Sequence, residues 1–240
     1  MVIDDAREYI FPIFSVRTET NGVLLASRAF LGTAFFVSRR GDAITEGHVL
    51  PAPRQLEEGR RLVAIVVRNG SEEVCWVRHA AKFASWDVAL LHVNLPETKH
   101  LAMSVCEVPA GSDIEIIGIT NHEVWAAGKE MRILKGHVTM APKRLELSCA
   151  VPTGMSGSPV FLEGKVVGYA TGTVRSEEVE ESSEEIAEIS DREELVRITE
   201  VRRALYYGLA FPFSAVADAP EPILDGKTLP EFIRSRNDEP

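Results

Sequence analysis

Three groups of residues carry the types and spacing of acyl-transfer chemistry. The first is Gly154-Met155-Ser156-Gly157-Ser158-Pro159. Glycine on both sides of a serine permits a sharp turn that lifts the hydroxyl out of the backbone. Consecutive amides in such a turn can converge on one point, so the N–H groups of Gly154 and Ser156 would build an oxyanion hole. Glycine and serine are also what any turn uses, and the string alone decides nothing. A serine hydroxyl is inert at its own pKa and needs a base. Of the six histidines (His48, His79, His92, His100, His122 and His137), His48 is set apart by context. It closes a stretch beginning at Gly32 that reads as a strand, a tight turn at Arg40-Gly41-Asp42 and a second short strand. An imidazole at the end of a rigid hairpin is held in orientation, as proton transfer requires. The third group is Asp87, in Ser85-Trp86-Asp87-Val88-Ala89-Leu90-Leu91. A carboxylate ahead of a strongly apolar strand is costly without a partner, and it is the group that fixes an imidazole tautomer. A turn aspartate at a strand start reads the same way.

These side chains need a rigid scaffold. The chain has 240 residues, 45% apolar and 26% charged, which is one large domain or two small ones with enough material for a sizeable core. Short apolar or alternating stretches recur at 10–16, 32–37, 62–67, 88–93, 114–119, 132–140, 145–149, 159–161 and 165–170. Turn signals separate them: Arg40-Gly41-Asp42, Asn69-Gly70, Pro109-Ala110-Gly111-Ser112 and Glu163-Gly164. Many short strands at this spacing favour an all-β sandwich or barrel over an alternating α/β fold. Strand-like sequence returns at 205–216, and the tail beyond carries four prolines, with one short helix turn expected at 231–236.

Composition removes other classes. No run of 18 apolar residues exists to cross a membrane as a helix. The start, MVIDDAREYI, has acids where a signal peptide needs bases. Three scattered cysteines make neither a disulfide framework nor a zinc cluster, so a reducing, cytoplasmic setting is expected. The net charge of −10 is local: residues 176–194 hold ten acids and one base, and the other 221 residues are nearly neutral. No basic stripe suggests nucleic acid. The acidic segment has two Ser-x-x-Glu helix starts, at Ser182 and Ser190, and reads as a solvated loop or as a functional lid.

Together the three strings resemble the trypsin-like (chymotrypsin-fold) serine peptidases, most closely the bacterial HtrA/Deg-type protease domain. Residues 32–50 are similar to the family's histidine block, ending here in Thr45-Glu46-Gly47-His48-Val49. Asp87-Val88-Ala89-Leu90-Leu91 matches the aspartate block, and Gly154 to Pro159 the serine block. Residues 108–118, 164–171 and 208–216 fit further family strands in order. The likeness covers roughly residues 10–217, with His, Asp and Ser in the family's order at intervals of 39 and 69 residues. It implies an all-β fold of two antiparallel six-stranded barrels. The N-terminal barrel, 1–100, would carry His48 and Asp87. The C-terminal barrel, 101–217, would carry Ser156 and an acidic insert at 176–200 with helical character. A tail would follow at 218–240.

The resemblance implies cleavage of a protein or peptide through an acyl-enzyme, with Ser156 as nucleophile, His48 as base and Asp87 as its orienting acid, and with no cofactor or metal. The residue six before the serine, Ala150, would form the base of the pocket for the side chain preceding the cut, beside Thr171, Gly172 and Thr173. Without an acid there, small or medium apolar side chains are expected. Thr171 would support Asp87. Ser158 stands where the family has glycine and would be strained if its φ were positive; Gly47 replaces an alanine, a change expected to be harmless. No PDZ-type segment is expected after residue 217. A regulatory partner, or gating by the acidic insert, is a further expectation; no nucleic acid or membrane is expected. Two other readings stay open: a catalytically silent trypsin-fold module that binds proteins, and a carboxylic-ester or other acyl hydrolase using the same three residues.

Overall fold

A computed structural model describes residues 6–19, 22–51, 60–83, 86–120, 131–141, 143–180, 201–218 and 220–238. Six strands form a first closed antiparallel barrel: β1 (Ile10–Glu19), β2 (Gly22–Phe36), β3 (Asp42–Glu46), β4 (Arg60–Arg68), β5 (Ser71–Lys82) and β6 (Val88–Val93), in the order β1-β2-β3-β6-β5-β4. Six more form a second: β7 (Asp113–Gly118), β8 (Arg132–Met140), β9 (Leu145–Leu147), β10 (Pro159–Leu162), β11 (Lys165–Glu180) and β12 (Val201–Pro212), in the order β10-β11-β12-β9-β8-β7. The all-β, two-barrel architecture expected from the sequence is therefore the one present. Closure removes the exposed sheet edges that so many short strands would otherwise present.

Local chemistry sets the elements. In β7 Ile114 and Ile116 point inward while Asp113 and Glu115 face solvent, the period-2 pattern of a half-buried strand. Asn69 (φ 51°) and Gly70 (φ 77°) both take left-handed conformations, which a two-residue hairpin between β4 and β5 requires. Each barrel has its own core: Phe11, Ile13, Phe36, Leu91 and Val93 in the first, Ile116, Val138, Leu147, Val160 and Val167 in the second. A third cluster joins them, with Phe35, Ile44 and Val88 from the first barrel against Ile119, Phe161, Tyr169 and Phe213 from the second. This apolar seam makes the two barrels one packed body and holds the groups of one against those of the other.

Three elements differ from the sequence expectation. β5 has no counterpart in it, because its text, SEEVCWVRHAAK, is charged and turns Val74 and Trp76 to solvent (45% and 36% exposed) while burying Cys75. Residues 176–180, taken with the acidic insert, continue β11 and pair with 201–205 of β12. The rest of the insert, with both helix starts, lies outside the described residues. The tail forms a ten-residue helix, α1 (Leu229–Asp238), rather than one turn. Thr228 and Glu231 cap it reciprocally: Glu231 Oε2 accepts from the Thr228 amide (2.9 Å), and the Glu231 amide donates to Thr228 Oγ1 (3.4 Å). The helix returns to the first barrel, where Arg236 Nε donates to Asp42 Oδ2 at 2.8 Å and the Arg39 amide donates to Asn237 Oδ1 at 3.1 Å.

Candidate active site

His48 sits in a single 3-10 turn, Gly47–Val49, at the end of β3. Asp87 immediately precedes β6, which pairs with β3 so that Glu46 lies opposite Val88. The Gly47 amide donates to the Asp87 carbonyl at 2.9 Å and closes the two strand ends together. His48 Nδ1 then faces Asp87 Oδ2 at 3.0 Å. Both side chains stay open to solvent, 54% and 43% exposed, so the pair is reachable by a substrate. The close approach depends on glycine: a Cβ on Gly47 would lie 2.5 Å from Asp87 Oδ1. Glycine itself fits this turn without a clash; the distance bears on an alanine here, which would move the Asp87 carboxylate.

Ser156 belongs to the turn between β9 and β10 and is held from the other barrel by Thr33 of β2. The Thr33 amide donates to the Ser156 carbonyl (3.0 Å), and Thr33 Oγ1 donates to the Gly154 carbonyl (3.0 Å). Gly157 has φ +85°, and a Cβ there would meet the Thr33 carbonyl oxygen at 2.2 Å and Thr45 Oγ1 at 2.3 Å. The turn is thus clamped as tightly as a glycine backbone allows. Within it, the amides of Met155, Gly157 and Ser158 donate to Pro152, Ala170 and Met155 carbonyls. The Gly154 and Ser156 amides have no acceptor among the described residues. Unpaired N–H groups flanking the bonded Met155 amide are what anion binding at this point would use.

Other expectations fare differently. The Ser156 hydroxyl donates to the Thr171 carbonyl at 3.1 Å; no hydrogen bond joins it to His48 among the described residues. Thr171 does not support Asp87, since its own hydroxyl donates to the Leu209 carbonyl across β12 (3.3 Å). Ser158 carries no positive φ, the left-handed positions falling on Gly154 and Gly157. Its Oγ is instead buried without a hydrogen-bond partner, in space that Gly118 leaves free. Ala150 is exposed, and the adjoining Val151 is tied to the edge of β11, its amide donating to Thr173 Oγ1 and its carbonyl accepting from it, both at 2.8 Å. Gly172 lies between Thr171 and Thr173 where β11 shifts register against β12.

One participant was missed. Glu46, the last residue of β3, is 2% exposed, and its Oε1 lies 3.2 Å from His48 Nδ1. Burial pushes its carboxyl up to about 8; the nearby Ser156 side chain lowers it, the Asp87 charge raises it and Arg144 lowers it. Its Oε2 has no hydrogen-bond partner. The signal was in the sequence, an acid closing a strand two residues before the histidine. Glu46, His48 and Asp87 are also the one described cluster of donor atoms, all within 4.8 Å, close enough to hold a cation, although Nδ1 here faces Asp87 as a hydrogen-bond partner.

Comparison with known proteins agrees with this layout. The family model described as "Trypsin-like peptidase domain" matches residues 32–168, from β2 through the serine turn into β11. No curated protein matches the sequence. Among solved structures, the chain is similar to the Rv3671c protease of M. tuberculosis in its active form, at 18% identity and TM-score 0.55, covering 90% of this chain and 81% of that one. The inactive form of that protease gives 17% and 0.54, over 90% and 88%. The HtrA-type protease AlgW, solved with a decapeptide, gives 15% and 0.53 over 88% of this chain. This chain spans 62% of the AlgW chain's length.

Proposed function

The chain belongs to the trypsin-like peptidase domain family, and from that premise we propose that it is a serine endopeptidase. The observation that carries this reading is the His48–Asp87 contact at 3.0 Å beside a clamped turn whose Gly154 and Ser156 amides are unpaired. In the proposed mechanism the Ser156 hydroxyl leaves the Thr171 carbonyl, turns to His48 Nε2 and attacks the peptide carbonyl carbon. His48 takes the serine proton and passes it to the leaving amine, which departs as the acyl-enzyme forms. Water, deprotonated by the same imidazole, then hydrolyses the ester and restores Ser156. Asp87 holds the Nδ1–H tautomer and balances the imidazolium. The two free amides receive the oxyanion, each at about 10²–10³ in rate.

For the residue before the cut, we propose a small or medium apolar side chain. Ala150 supplies no acid to pair with lysine or arginine, and neither do its neighbours Cys149 and Val151. Thr171, Gly172 and Thr173 would bind the substrate backbone. A peptide-library profile should be dominated by Ala, Val or Leu at that position, with turnover absent in Ser156→Ala; a profile dominated by Lys or Arg contradicts the pocket assignment. The alternative, a silent peptide-binding module, draws on the Ser156 hydroxyl being engaged by Thr171 rather than His48. That reading predicts peptide binding with no turnover at any pH.

A further inference from the structure

We propose that Glu46 is a positioning residue for the catalytic histidine, a second carboxylate on His48 Nδ1 whose charge is coupled to that of the imidazole. This rests on the serine-peptidase reading of the site.

The geometry starts from one nitrogen facing two acids. His48 Nδ1 lies 3.0 Å from Asp87 Oδ2 and 3.2 Å from Glu46 Oε1. A neutral imidazole has one proton at Nδ1, and only the Asp87 contact has hydrogen-bond geometry. The two acids differ in solvation: Asp87 is 43% exposed at its side chain, and Glu46 is 3% exposed. An ionised Glu46 would be a buried charge with one oxygen unpaired and a like charge nearby, which is why its carboxyl is held protonated to about pH 8. The groups that face it are few. Asp87 is the like charge from the start of β6. Arg144, from the loop before β9, opposes it. Ser156 reaches it from the serine turn, and Tyr169, a phenol on β11 pushed upward first by burial and then by Glu46 and Asp87, offers no counter-charge. Among the described residues, the one group that can supply a full positive charge at contact distance is His48, when it takes a proton.

It follows that the protonation of His48 and of Glu46 cannot be independent. An imidazolium favours an ionised Glu46, and an ionised Glu46 favours the imidazolium that forms when Ser156 attacks. A merely structural glutamate, packed to fill the strand end, would have no such link.

The test compares wild type with Glu46→Gln, which keeps shape and polarity but cannot ionise. It uses two readouts: the pH profile of kcat/KM on a peptide substrate, and NMR titration of the His48 ring in the Ser156→Ala background. In wild type, kcat/KM should climb a second time near pH 8, by about tenfold, as the ionised Glu46 stabilises the imidazolium of the attack. The His48 signal should titrate in two steps. In Glu46→Gln both second steps should vanish, and Glu46→Asp should restore them in part. Superimposable His48 titrations in wild type and Glu46→Gln overturn the proposal. The NMR readout needs no turnover, so a two-step titration in a protein without activity would uphold the coupling and sink the peptidase reading instead.

Discussion

Strand β3 begins and ends in a buried acid, and each faces the Nδ1 of a histidine, yet the two are built for opposite ends. Asp42, at the start, is saturated: Ser38 Oγ donates at 2.7 Å, Arg236 Nε at 2.8 Å, and His92 Nδ1 lies at 3.0 Å. Glu46, at the end, has one histidine at 3.2 Å, a competing carboxylate and an unpaired oxygen. Five residues of one strand thus carry a structural acid and an under-satisfied one. A buried carboxylate with a full set of donors anchors an element, here the C-terminal helix α1. One left short of donors is held out of its comfortable charge state, and such groups gather where chemistry is done.

The largest way to break the comparison is at its satisfied end. Asp42→Asn should cost about 3 kcal/mol in urea unfolding, because Arg236 loses its buried partner. Ser156 reactivity per folded molecule should stay unchanged; a loss of reactivity without a loss of stability would merge the two roles. Gly47→Ala should act the other way. The new Cβ displaces Asp87, so reactivity should fall by roughly 10²-fold at nearly constant stability, as a 1 Å misplacement does in an active site. Arg236→Ala should cost less than Asp42→Asn, about 2 kcal/mol, since Ser38 and His92 still donate to Asp42; limited proteolysis should then clip α1 first.

The smallest effect carries the sharpest sign. Glu46 has a folded-state value of about 8, raised above its ordinary 4.5. Between those values the folded state binds more protons than the unfolded one, so stability is full below pH 4.5 and is lost as pH rises through 8. Glu46→Gln should therefore match wild type at pH 4.5 and become the more stable protein by on the order of 1–2 kcal/mol at pH 8.5, after relaxation and water entry reduce the full shift. Thermal melts at the two pH values measure this, and a constant difference at both removes Glu46 as the titrating group.

The sequence was most legible where one face of an element is wet. β6 and β8 have the bounds that alternation and turn residues suggest, and His48 and Asp87, read from separate stretches, meet at 3.0 Å. It was least legible where alternation carries no information. All five residues of β3 are buried, so nothing in the pattern says that Asp42 and Glu46 point into protein. Thr33 gave no signal either, because its role is to bond two carbonyls in a turn 121 and 123 positions away. α1 was underestimated because its prolines read as tail; its Thr-x-x-Glu cap was the overlooked cue. Thr171 shows the limit of carrying a role over by position, its hydroxyl having turned to Leu209.

The central claim is that Ser156 is a nucleophile activated by His48. Fluorophosphonate labelling, read by intact mass and peptide mapping, tests it most directly. The expected result is one adduct per chain on Ser156, absent in Ser156→Ala and in His48→Ala and strongly slowed in Asp87→Asn. A folded wild-type protein that takes no adduct across the pH range, or one labelled equally well without His48, would contradict it.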